Sequence, residues 1–374
     1  MCRHKIIQRK RENKRRLAST MAKRSLSNLA SFIRDIGSSC SAVRIIDDVL
    51  IAGSKNGKLN GWSTSTGELL WSVEIDGIIA DFDFDNDTIY TTGPNKLFAF
   101  STNTGEMLWS EELEGGGDFV RIIDEEIWVT SSVYDIEVFD FIEATTQRFS
   151  RNGKLLEKWT FDERPWFLGA TQGGVLLGLG RPRCGGIRIQ PGEMSKHFLL
   201  SSNQPVTSGA DSAGRIHFGH SDGTVSTIDC KSLKILNTAH PSDSLTTTIT
   251  NSENGWTSGH EDGTIYFDEI EFHVDGVIDS VANFAGNCWA SFSKSSKTDF
   301  VIIDSAQNQT FLTHENRVRF VHSASKGLAL GDESGKILFF EIEVVERRLV
   351  ESNNSEVDEK KRGLLKDRLR QLRS

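Results

Sequence analysis

The chain has 374 residues, 37% of them hydrophobic and 25% charged, with 33 Gly against 6 Pro. That composition excludes a largely disordered chain, and abundant Gly with scarce Pro suits a fold of many tight hairpins. The net charge of −9 is unevenly spread: residues 1–34 carry 11 Lys/Arg and one acid, residues 358–374 carry 7 and 3, and the body between holds 25 basic and 48 acidic residues. Such an acidic body excludes phosphate binding over most of its surface.

At the N-terminus, residues 1–20 are basic with no apolar run behind them, so they do not read as a secretory signal. They are expected to be disordered, and Met21 is an alternative start. Ser25–Ile36 places Leu26, Leu29, Ile33 and Ile36 at helical spacing, which predicts a short amphipathic helix. Residues 1–37 are therefore read as a basic extension.

From residue 38 to 345 the chain repeats itself. KLNGWSTSTGELLWS at 58–72 returns as KLFAFSTNTGEMLWS at 96–110, and VRIID at 43–47 returns at 120–124. Gly219-His220-Ser221-Asp222-Gly223-Thr224 returns 40 residues later as Gly259-His260-Glu261-Asp262-Gly263-Thr264. Gly331–Ile337 repeats the pattern of Gly53–Leu59. Within a unit, VRIIDDVLIAGS alternates like a strand pair, Lys55-Asn56-Gly57 turns, LNGW follows, Ser65-Thr66-Gly67 turns again, and ELLWSVEI closes the unit. Four short antiparallel strands per period of about 40 residues are one blade of a β-propeller. Second-turn markers fall near 53, 92, 131, 180, 219, 259, 292 and 331, which makes eight blades. Seven is the alternative, because FSKSSKTDFVIID at 292–304 lacks the glycine turn. Asp140–Arg151 reads as an insertion before the fourth strand of the third unit. The fold class is thus all-β, an eight-bladed propeller of four-stranded blades with short helices at both ends. Residues 346–374 read as a linker and a basic amphipathic helix carrying Leu365, Leu369 and Leu372.

The pattern at 95–109, with Thr104-Gly105 and Trp109, resembles the repeat of pyrroloquinoline-quinone-type propellers, as does its partner with Thr66-Gly67 and Trp71. The Gly-x-x-Asp-Gly-Thr words ending at Asp229 and Asp268 resemble the WD-repeat family, with Ile228 and Phe267 where that family has Trp. The resemblance implies a propeller over about residues 40–343. Quinone enzymes of this kind hold their cofactor with calcium in the central funnel. This sequence has no vicinal cysteine pair and no calcium-binding constellation, so the resemblance implies the scaffold without the cofactor.

Candidate chemistry is sparse. Asp81, Asp83, Asp85 and Asp87 lack the Gly and Glu of a helix-loop-helix calcium loop, and their alternation with Phe82 and Phe84 predicts a strand with a solvated acidic face. His217, His220, His240 and His260 lack a local zinc-ligand pair and are expected to bond locally. No nucleophile elbow, phosphate loop or His-Glu-x-x-His helix occurs. The expected sites are therefore none for catalysis, cofactor or metal. Trp71 and Trp109 are expected to pack between blades. One basic patch interrupts the acidic body, formed by Arg181, Arg183 and Arg188 beside Trp166, and it is the candidate partner contact. Five scattered cysteines and no apolar run of about 18 residues predict a reducing, cytoplasmic location without a membrane span. The expected role is a monomeric, non-catalytic scaffold binding proteins or peptides on a propeller face. The alternatives are a ligand-binding or enzymatic channel, or a nucleic-acid or ribosome-associated factor held by the basic tails.

Overall fold

The computed structural model describes residues 24–351, apart from 86, 213, 253–254 and 296. Eight sheets are arranged in a ring. The innermost strands are Cys40–Ile46, Asp81–Asp85, Gly116–Ile123, Pro165–Thr171, Val206–Ser212, Thr246–Ser252, Val277–Phe284 and Val318–Ala324. Each packs on the innermost strand of the next blade, and the last packs on the first. We number the blades 1 to 8 in this order and letter their strands a to d from the channel outward. Strands a, b and c of every blade form an antiparallel meander, so every a–b turn lies on one face and every b–c turn on the other. The question of seven or eight is settled: blade 7 closes its b–c turn without glycine, with Ser295 at φ +58°.

The b–c turns show why glycine recurs with the repeat. Gly57 has φ +90°, and a Cβ there would stand 2.0 Å from the Ile75 carbonyl oxygen. Gly263, two-thirds of the way along the chain, has φ +92° and meets Val274 O at 2.1 Å. Only glycine fits such a site. The repeat-locked tryptophans bridge blades. Trp71 Nε1 donates to Thr102 O of blade 2 at 2.7 Å, and Trp109 Nε1 donates to Arg151 O of blade 3 at 3.0 Å. Apolar faces between blades are buried, with Leu50, Ile51, Phe82, Leu177, Phe218 and Leu330 all fully inaccessible.

Three expectations are corrected. Ser25–Ile36 is not a helix: Leu26–Asn28 forms one 3-10 turn and Phe32–Asp35 is a strand. Helical spacing loses because blade 8 ends at its third strand, Lys336–Phe340, and needs a fourth. Phe32–Asp35 supplies it in antiparallel register, Phe32 opposite Phe339 and Asp35 opposite Lys336. The two ends of the chain thus share one blade and lock the ring. Arg24–Ser25 adds a short parallel strand to blade 7. Second, Asp140–Ser150 is not inserted: it is strand c of blade 3, paired along its length with Glu126–Asp135. The interval is long because both arms of that hairpin are long, 10 and 11 residues. Third, the acidic strand Asp81–Asp85 is not solvated. Its acids meet Arg44, Arg121 and Arg151.

A helix begins at residue 342, inside the span read as propeller, and buries Val345 against blade 8. Arg348 donates to the carbonyls of Asn28 and Ala30, tying this helix to the N-terminal segment. The helix expected around Leu365, Leu369 and Leu372, and the basic residues 1–20, lie outside the described residues. Among the described residues no helix is long and apolar enough to cross a membrane.

Candidate interaction site

Two places carry clustered polar or exposed groups: the channel and one sector of the b–c face. The channel holds a cavity of about 550 Å³. Side chains of its wall stitch neighbouring blades together. Arg44 of blade 1 bonds Asp81 of blade 2 at 3.2 Å, and Asp83 accepts from the Ile122 amide of blade 3 at 2.9 Å. In the a–b turn of blade 3, outside the cavity lining, exposed Asp124 accepts from Gly173 N of blade 4; Asp211 of blade 5, in the wall, accepts from Ala170 N, each at 3.1 Å. Asn251, Asn283 and Ser323 then donate in turn to carbonyls of Asp211, Asn251 and Asn283, each at 2.6 Å. His322 accepts from Ile45 N at 3.1 Å and completes the circle.

The electrostatics follow from that stitching. Burial lowers the pKa of His322 to about 3, with Arg44 adding to the effect, so the ring is neutral and free to accept. Burial raises Asp83, against the pull of Arg121. For Arg121 burial works downward, and the neighbouring Asp81 and Asp83 outweigh it, so its pKa is raised. Channel hydroxyls are spent on carbonyls as well: Ser280 donates to Val318 O at 3.0 Å. The chemistry of this wall is that of a seam between blades.

The four histidines are not brought to one point. His220 Nδ1 faces Gln204 O at 3.1 Å and Nε2 faces Ser226 Oγ at 2.8 Å. In the next blade His260 Nδ1 faces Ser244 O and Nε2 faces Ser258 Oγ. A carbonyl can only accept, so Nδ1 carries the proton in both and Nε2 takes the hydroxyl. His217 pairs with Thr227, and His240 with Thr224 and Asp243. Among the described residues no three His, Cys, Asp or Glu are grouped to hold a metal.

The b–c face is different at blades 3 and 4. The long hairpin of blade 3 raises a tip in which Ile136 is 74% exposed, Val138 60% and Phe139 77%. Phe139 has φ +56°. Asp135, Glu137, Asp140 and Glu143 are interspersed with apolar residues there, and no Lys or Arg occurs between 133 and 147. Below the tip, the Arg164 guanidinium lies 4.4 Å from the Phe141 ring centre and 4.8 Å from that of Trp166. Asp118 fixes it from the third side at 2.5 Å.

Trp166 and Arg183 fall in this sector. Trp166 is 45% exposed and lies against the b–c loop of blade 4, where a Cβ on Gly180 would come within 2.6 Å of Trp166 Nε1. Arg183 Nε reaches the buried carboxylate of Glu163 at 3.2 Å, and its Nη2 reaches Asp162. Arg181 is exposed in the same loop. Arg188 is not part of the cluster: it is half-buried in strand c of blade 4, opposite Leu176 and Lys196. The hairpin tip was missed because no glycine marks its turn. The signal available was the run of apolar and acidic residues from Val133 to Glu143, without Lys or Arg.

A family model described as outer membrane protein assembly factor BamB, of the quinone-propeller repeat type, matches residues 37–160. No curated protein matches the sequence. Among solved structures, the computationally designed protein Ika8 is similar at 15% identity and TM-score 0.69, covering 83% of this chain and 98% of that one. Sqt1 of Saccharomyces cerevisiae is similar at 12% identity and TM-score 0.67, covering 84% and 99%. The WD40 propeller domain of Doa1 is similar at 14% identity and TM-score 0.58, covering 84% and 97%. The chain shares the β-propeller fold of these structures, and at these identities the likeness concerns architecture alone.

Proposed function

We propose that this propeller is a non-catalytic scaffold that binds a protein partner on the b–c face at blades 3 and 4. The observation that carries the reading is Phe139. A left-handed backbone costs a non-glycine residue about 1–2 kcal/mol, and an aromatic ring 77% in solvent returns nothing to the isolated fold. Leu233 shares that conformation, at φ +58°, but packs on the core of blades 4 and 5. Strain combined with exposure points to use. Trp166, Arg181 and Arg183 rim the same sector, and Trp and Arg are the side chains that most often anchor interfaces. The channel supports the alternative of a ligand site less well, because its acids, arginines and amides already bond across seams. A cytoplasmic address fits the four cysteines among the described residues, all buried and free, and a monomer fits the acidic body, which repels copies of itself.

The test is affinity purification from the native cell with the wild type and a variant whose tip, residues 136–139, is replaced by Asn-Gly. The reading expects a stoichiometric partner on the wild type that is lost from the trimmed variant, with cooperative unfolding kept. A partner retained by the trimmed protein would overturn it.

A further inference from the structure

We infer that the groove beside the blade 3 hairpin receives a basic segment of the partner, a stretch in which Lys or Arg alternates with apolar residues. The inference rests on the scaffold reading and adds the chemistry of the occupant. The groove encloses about 470 Å³ between the outer arm of the hairpin and blade 4. Its apolar wall is Ile142 and Phe161, and its carboxylates are Glu143 and Asp162. Ile142 is aimed there by a β-bulge: Val133 pairs with Glu143 and Tyr134 with Phe141, leaving Ile142 between them unpaired and 49% exposed. Bulges re-aim side chains in this way. Strand d of blade 3 stops at Phe161 opposite Ala144. Among the described residues nothing pairs with that side of Asp140–Glu143, so the groove is open along the hairpin.

Charge selects the occupant. Asp162 is 76% exposed at its side chain, Glu143 lines the groove with it, and the rest of the hairpin carries Asp135, Glu137 and Asp140 with no Lys or Arg. The one cation lining the groove among the described residues, Arg183, is already held by Glu163 and Asp162. Phosphate backbones and anionic lipid surfaces meet repulsion here, as does the acidic body of a second copy. A strand-like segment has a side-chain period of two, so an alternating sequence offers one apolar row and one basic row. Its apolar residues would seat between Ile142 and Phe161 while its cations pair with Glu143 and share Asp162 with Arg183.

The probe is a labelled, alternating Lys–Leu peptide titrated against the full chain. Comparison arms use alternating Lys–Ser and Glu–Leu peptides, a peptide of residues 358–374, and phosphatidylserine vesicles. Expected is salt-sensitive Lys–Leu binding, weakened about tenfold or more by Glu143→Lys with Asp162→Lys, and likewise by Ile142→Ser. A tenfold loss corresponds to about 1.4 kcal/mol. Leu69→Ser with Leu70→Ser, on the exposed outer strand of blade 1, should change nothing. Urea midpoints equal to wild type would show that all variants fold. Equal binding of Lys–Ser or Glu–Leu, or groove variants that bind as wild type, would overturn the inference. It is also overturned if vesicles alone bind in a groove-dependent way, or if Lys–Leu binds only after removal of residues 358–374, which would make the chain's own tail the occupant. If tip trimming abolishes the native partner while no basic peptide binds, the scaffold reading stands and only the occupant's chemistry falls.

Discussion

Asp81 of blade 2 takes Arg121 of blade 3 at 2.8 Å on one carboxylate oxygen while the other holds Arg44 of blade 1 at 3.2 Å. One acid therefore joins three blades at the channel wall, with its side chain 11% exposed and each arginine about a quarter exposed. Removing its charge strands two cations in a partly dry seam. Asp81→Asn is expected to lower unfolding free energy by about 2–4 kcal/mol, the lower end reflecting solvent access to the arginines. A urea titration checks this. Asp81→Ala combined with Arg121→Met should cost less than Asp81→Asn alone, because the double change leaves fewer unpaired charges.

Stability should fall as pH drops below neutrality. Burial holds His322 near 3 and, with Arg215, His217 near 4, both well under the ordinary 6.5, and it lowers His220 and His260 as well. A histidine lowered in the folded state takes up its proton first in the unfolded chain. Its contribution is complete above pH 6.5 and is lost as pH falls toward its folded value, at up to about 1.4 kcal/mol per pH unit for each ring. Asp83 and Asp118 are raised by burial, so protonation on the acid side favours the fold through them and offsets part of the loss. Urea midpoints between pH 7 and pH 4 should decline for the wild type. His322→Gln, which keeps an acceptor that cannot titrate, should show a shallower decline; an identical slope would contradict the assignment.

Phe139→Gly should stabilise the protein by about 1 kcal/mol, since it relieves the left-handed backbone and loses almost no burial. The same change should weaken partner binding. Thermal unfolding and binding measured on one preparation check both signs together; a loss of stability would mean that Phe139 packs in solution.

Removal of residues 1–36 should open the ring. It uncovers the Lys336–Phe340 strand and unstacks Phe339 from Phe32, whose ring centres lie 5.0 Å apart. A bare apolar strand edge recruits other chains. Size-exclusion chromatography should show self-association and calorimetry a lower, broader transition, where a sharp monomeric transition would contradict the role of the closure.

The ring was legible because each blade repeats the demands of one turn. Gly57, Gly223 and Gly263 recur where only glycine fits, and Trp71 and Trp109 recur where an indole must reach the next blade. Phe32–Asp35 was not legible: its apolar spacing fits a helix, and its strand exists only because a distant third strand lacks a neighbour. Asp81 likewise looks like a surface acid until blades 1 and 3 bring up their arginines. In the candidate site, Trp166 and Arg183 could be picked from residue type and irregular turns. The hairpin tip could not, because no glycine marks its turn and strand residues read the same whether the strands stay in the sheet or run beyond it.

The most direct measurement is hydrogen exchange of the full chain alone and with its purified partner. Protection is predicted at residues 133–143, 160–166 and 180–185, with the channel strands and the faces of blades 6 to 8 unchanged. Protection centred on the channel or on the a–b face, with the blade 3 hairpin still exchanging freely, would contradict the account.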